Sequence, residues 1–66
     1  PMQLTIEGMT CPHCVSHVKA ALEAVPGVQR VEVDLKTGQA TVEGDVTFEA
    51  LARAVAEEGY TARRQA

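Results

Sequence analysis

The sequence predicts an α+β chain folded as an open-faced sandwich: a four-stranded antiparallel sheet with two helices on one face. Three observations carry that prediction. Short stretches alternate apolar and polar residues with a period of two, as strands with one buried and one wet face do. Two longer stretches space their apolar residues by three and four, as amphipathic helices do. The tetrapeptide Thr5-Ile6-Glu7-Gly8 returns as Thr41-Val42-Glu43-Gly44, and each copy is followed by a helical pattern and then a glycine, Gly27 or Gly59, that opens another strand. The chain of 66 residues thus reads β-α-β twice, and a single domain over 1–66 is expected.

The first strand, Gln3 to Glu7, alternates Leu4 and Ile6 with Gln3, Thr5 and Glu7. The first helix is expected from about Pro12 to Ala24, with Pro12 at the first helical position, where its missing N–H costs nothing. Val15, Val18, Leu22 and Val25 form its apolar stripe, and Pro26-Gly27 ends it. The second strand carries Val31, Val33 and Leu35 on one face and Arg30, Glu32 and Asp34 on the other. Lys36-Thr37-Gly38 reads as a hairpin loop. The third strand turns Ala40 and Val42 inward. Thr47 or Asp45 caps the second helix, whose buried stripe is Phe48, Leu51, Ala52 and Val55. Gly59 stops that helix, and Tyr60 to Arg64 is a short last strand. Two βαβ units with right-handed crossovers give the split β-α-β, ferredoxin-like topology. From Gly8 to Gly27 is nineteen positions, and from Gly44 to Gly59 fifteen. The first half is therefore expected to carry extra residues between strand and helix, on an inserted loop that the fold does not need and that holds both cysteines.

Composition narrows the function. The net charge is −3, and Lys19, Arg30, Lys36, Arg53, Arg63 and Arg64 form no stripe. With only Phe48 and Tyr60 as aromatics, the basic footprint and stacking platform of nucleic-acid binding are both missing. No apolar stretch approaches the ~20 residues that span a bilayer, so direct membrane insertion is not expected. No pattern of basic, apolar and small-residue regions marks a signal peptide, so a chain native from its start is expected to be cytoplasmic. In a reducing cytosol a close cysteine pair is metal-binding or redox-active rather than structural.

The only two cysteines stand in Gly8-Met9-Thr10-Cys11-Pro12-His13-Cys14. Cys11 falls at or just before the helix N-cap and Cys14 in the first turn. Unpaired backbone N–H groups there favour negative charge and lower thiol pKa values, Cys14 especially. A thiolate is both metal ligand and nucleophile, so this does not choose between those roles. Softness does more: two thiolates without a neighbouring carboxylate suit ions such as Cu(I). A structural zinc site wants four ligands, and only His13 and His17 could add to the pair. On the helical wheel His13 points nearly opposite the apolar stripe and His17 well off it. Two-coordinate binding of a soft ion is favoured over tetrahedral zinc.

Gly8-Met9-Thr10-Cys11-Pro12-His13-Cys14 resembles the motif of the heavy-metal-associated domain family, Gly-Met-Thr/Ser-Cys-x-x-Cys. The resemblance continues through Val15, Val18, Ala21-Leu22, Pro26-Gly27-Val28, Val31-Glu32-Val33, Gly38, Ala40-Thr41-Val42 and Gly59-Tyr60, covering essentially the whole chain in order. It implies the ferredoxin-like fold reached above. It also implies Cu(I) held by Cys11 and Cys14, and handover through shared sulfur intermediates to a copper-transporting P-type ATPase or its metal-binding domains. His13 and Tyr60 are similar to those of small bacterial copper chaperones. Met9, Thr10, His13 and Tyr60 are the expected site-supporting residues. Met9 is read as a gap filler beside the loop, His13 as an exposed helix residue that tunes exchange, and His17 as plain helix surface. Tyr60 belongs to the core edge and shields the metal if its hydroxyl faces the loop.

The expected function is thus a soluble Cu(I) carrier, not an enzyme. Ag(I), Zn(II), Cd(II) or Hg(II) are further ions for the same sulfurs in vitro. The chain is expected to be a monomer without metal, with a metal-bridged dimer as a second loaded form. Two alternatives stand beside it. One is a metal-binding regulatory domain cut from a transporter. The other is a thiol-disulfide oxidoreductase, because Cys-Pro-His-Cys also resembles a redox motif. Against the latter, the chain is too short for a thioredoxin core, and Pro26 sits in a helix-ending Pro-Gly instead of before a strand that faces the motif.

Overall fold

The computed structural model describes residues 2–64; positions 1, 65 and 66 of the expected domain lie outside the described residues. The elements run β1 (Met2–Glu7), α1 (Pro12–Glu23), β2 (Val28–Asp34), β3 (Gln39–Gly44), α2 (Phe48–Glu57) and β4 (Thr61–Arg64). The strands form one sheet in the order β2-β3-β1-β4, every neighbouring pair antiparallel. Both helices pack on one face. This is the ferredoxin-like sandwich, with the alternation of Leu4 and Ile6 against Gln3 and Glu7 setting which face of β1 is dry.

The core is aliphatic: Leu4, Ile6, Val18, Leu22, Val31, Ala40, Val42, Leu51 and Val55 are all buried, from sheet and helices alike. Each Leu, Ile or Val so buried contributes about 1.5–3 kcal/mol. Phe48, Met9 and Tyr60 are half-buried and pack against this cluster. Thr47 is the N-cap of α2, its hydroxyl accepting from the Ala50 N–H at 3.2 Å.

The register gathers three connections at one end of the sheet. Thr5 faces Gln39, Glu7 faces Thr61, and the Ile6 N–H donates to the Gly38 carbonyl at 2.7 Å. The β1–α1 loop with its cysteines therefore rises between the β2–β3 hairpin and the α2–β4 turn. At the opposite end β3 closes on the start of β2. A Cβ on Gly44 (φ +143°) would lie 2.2 Å from the Gly27 carbonyl oxygen, so the approach requires glycine.

Three details differ from the sequence reading. Leu35, expected to face inward on β2, lies beyond its last residue and is 38% exposed in the hairpin. The strand instead starts early, at Val28, through an irregularity between Val28 and Arg30 that shifts its pairing with β3. Val25 falls after the helix, whose C-cap is Ala24. The larger correction concerns the cysteine loop. Gly8 to Pro12 and Gly44 to Phe48 are each four positions, so nothing is inserted between strand and helix. The extra residues of the first half lie in the longer α1, 12 residues against 10 for α2, and in the connection from α1 to Gly27. The two strand-to-helix connections are equivalent, and Cys11 stands where Thr47 stands.

Candidate metal centre

Cys11 is the N-cap of α1, with extended backbone (φ −154°, ψ 164°), and Pro12 follows as the first helical residue. The Cys14 N–H donates to the Cys11 carbonyl at 3.0 Å, closing the first turn. In α2 the same positions hold a capping pair, Thr47 oxygen to Ala50 N–H. In α1 the cap makes no side-chain bond to the backbone. Its sulfur turns instead to the Cys14 sulfur, 3.2 Å away. The Cys-x-x-Cys spacing is thus the spacing of a helix cap, from N-cap to third helical residue, with the cap's oxygen–amide bond replaced by a sulfur pair.

Both cysteines are free thiols and half-exposed. Cys14 is the more strongly tuned. The Tyr60 hydroxyl, the Thr10 backbone N–H, the Cys11 thiol and the Cys11 backbone all stabilise its thiolate and lower its pKa to about 6, against a smaller opposing effect of burial. The expected direction is met, but the leading cause is Tyr60, which local reasoning about the helix end did not identify. The neighbouring Cys14 thiol in turn raises the Tyr60 phenol to about 12. Tyr60 reaches the site from just before β4. Its backbone N–H donates to the Val55 carbonyl at 3.0 Å, and its ring lies over Gly8, where an added Cβ would come within 3.3 Å of the ring.

Met9 is half-buried and packs against the core, as a gap filler would. Thr10 is exposed and contributes its backbone. His13 is exposed on α1. His17 is 4.0 Å from Glu58 and so faces the end of α2 rather than the sulfurs. The structure therefore brings Cys11, Cys14, Thr10 and Tyr60 together and leaves both histidines outside. The Gly8 seat for the Tyr60 ring was not read from the sequence. Counting from each glycine of the internal echo would have found the cap equivalence of Cys11 and Thr47.

Among the described residues no group of three or more His, Cys, Asp or Glu side chains could hold a metal ion. The donor set is two soft sulfurs alone, which fits a low-coordinate soft cation. Two sulfurs about 2.3 Å from one ion, the zinc–thiolate distance, stand about 4.6 Å apart when the ion lies on the line between them, so a linear two-sulfur site requires the pair to open from 3.2 Å. Among the described residues no helix is long and apolar enough to cross a membrane.

Residues 3–61 match the heavy-metal-associated domain. The chain is 49% identical over 65 residues to copper-transporting ATPase 2 of Rhizobium meliloti (strain 1021), covering 94% of this chain and 8% of that protein. It is 47% identical over 62 residues to a mercuric reductase of Shewanella putrefaciens, covering 91% of this chain and 11% of the reductase. The solved structure of a CopZ metallochaperone is similar with a TM-score of 0.86 and 36% identity, over 91% of this chain and 94% of that one. The chain thus spans a small part of the reductase and the ATPase, and nearly the full length of the metallochaperone structure.

Proposed function

The chain belongs to the heavy-metal-associated domain family, and from that membership we propose that it carries Cu(I) between the thiolates of Cys11 and Cys14. It hands the ion by ligand exchange to a copper-transporting P-type ATPase or a similar domain, in the cytoplasm and without catalysing a reaction. The observation that supports this most is the sulfur pair itself, 3.2 Å apart at a half-exposed helix cap, with no third ligand group among the described residues. Such a site binds a soft ion and leaves it open to attack. A partner thiolate adds to the ion, and one carrier sulfur then leaves with its electron pair. No oxidation state changes. Thr10 and Tyr60 support the free Cys14 thiolate, while Met9 packs the loop onto the core.

The short share of the ATPase and reductase relatives that is matched supports a second reading, a metal-binding domain within a longer transporter or reductase. The reductase relative makes Hg(II) the rival cargo. One experiment tests these: anaerobic titration of the reduced protein with Cu(I), Hg(II) and Zn(II) against chelators of known affinity. Tight Cu(I) binding is expected, and Cys11→Ala or Cys14→Ala should abolish it without unfolding the chain. If either variant keeps wild-type Cu(I) affinity, the ligand assignment is wrong. If Hg(II) is held and Cu(I) is not, the cargo is mercury.

A further inference from the structure

His13 and His17 stand one helical turn apart on α1, and both are exposed. Residues at that spacing are neighbours on one helix face, with Cβ atoms about 5–6 Å apart. Helical side chains lean toward the helix N-terminus, so the His17 ring is carried back toward His13. Two imidazoles on such a spacing can close on one ion, as in zinc sites built on a single helix. A carboxylate on the neighbouring helix adds an independent feature. The His17 Nδ1 lies 4.0 Å from a carboxylate oxygen of Glu58. Glu58 is the C-cap of α2, and its N–H donates to the Val55 carbonyl at 3.1 Å, so its carboxylate is presented from a fixed backbone. A carboxylate facing one ring nitrogen holds the proton there and leaves the other, Nε2, as the ligand atom.

We propose that His13 and His17 form a second metal site, separate from the sulfurs, for a borderline divalent ion such as Zn(II), with Glu58 as the outer carboxylate that orients His17. Among the described residues no group of three His, Cys, Asp or Glu side chains gathers around an ion, so water completes the coordination and the site is open. Imidazole suits Zn(II), Ni(II) or Cu(II), whereas the thiolates of Cys11 and Cys14 suit softer ions. The two sites on α1 therefore sort ions by softness. The histidine site does not depend on the cysteines carrying Cu(I).

The test is a Zn(II) titration of the Cys11→Ser/Cys14→Ser double variant, which lacks the competing sulfurs, with the ring signals of both histidines followed by NMR. The pH is slightly alkaline, where imidazole is neutral. Wild-type protein with both thiols alkylated repeats the measurement on the unsubstituted chain. Both ring signals should move together along one saturation curve, and the ring-nitrogen shifts should mark Nε2 of His17 as the ligand. His13→Gln or His17→Gln should weaken binding roughly tenfold or more, since two ligands on one rigid frame act at a high effective concentration. Glu58→Gln should weaken it about tenfold, the scale of losing an outer carboxylate. Separate saturation curves, ligation through Nδ1 of His17, or a loss under twofold in any of these three variants would overturn the proposal. Failure of the cysteines to hold Cu(I) would sink the carrier reading and leave these outcomes unchanged.

Discussion

With its thiol lowered to about 6, Cys14 is a thiolate at neutral pH before any ion arrives. An unperturbed thiol, with pKa near 8.5, would first have to lose its proton. The sign follows for stability as well. A depressed acid pKa stabilises the folded, metal-free chain fully above the unfolded thiol's value. That contribution declines as the pH falls toward about 6 and is lost below it. Alkylation of Cys14 by iodoacetamide should therefore stay fast down to about pH 6 and then fall about tenfold per pH unit. A titration midpoint near 8.5 would show that Tyr60 and Thr10 do not act on this sulfur. The exposed pair Arg63–Glu7, near the same end, joins β4 to β1 and, being exposed, contributes little to stability.

The helix cap is where sequence chemistry and metal chemistry compete. Thr47 caps α2 with oxygen, while Cys11 gives up that bond in α1 and keeps a sulfur for the site. Replacing an alanine N-cap by serine is worth about 1 kcal/mol. Metal-free Cys11→Ser should therefore be about 1 kcal/mol more stable than Cys11→Ala in urea unfolding, since serine restores the bond that Thr47 makes. Both variants should lose Cu(I). Equal unfolding midpoints would mean that the α1 cap is not equivalent to that of α2.

For the molecule as a whole, the margin is thin. A chain of this length is stable by roughly 3–10 kcal/mol, and its core among the described residues is nine aliphatic side chains. Leu51 is fully buried between helix and sheet. Leu51→Ala should cost about 2–5 kcal/mol, although it leaves the cysteine motif untouched. Its urea midpoint should fall steeply and should recover partly on adding Cu(I), because an ion bound only by the folded state stabilises it. An unchanged midpoint without metal would mean that the core does not rely on this side chain.

The sequence by itself determined the element order, the buried face of each strand and the Cys11–Cys14 pair, because each depends on neighbours within one turn or one strand. Periodicity is local, so Leu4, Ile6, Val18 and Leu51 were legible one segment at a time, whereas the choice of Thr47 over Asp45 as the α2 cap came from the structure. The sequence also showed the family motif, since that is a run of adjacent residues. The tertiary structure alone decided the rest. Whether Leu35 points inward depended on where β2 stops pairing with β3. Whether the cysteine loop is inserted depended on where each helix starts, and both start four residues after their glycine. The position of Tyr60 over Gly8 and beside Cys14 follows from the pairing of β4 with β1, two strands far apart in the chain. A thiol's surroundings are set by whatever the register brings to it, and no local pattern near Cys14 contains Tyr60.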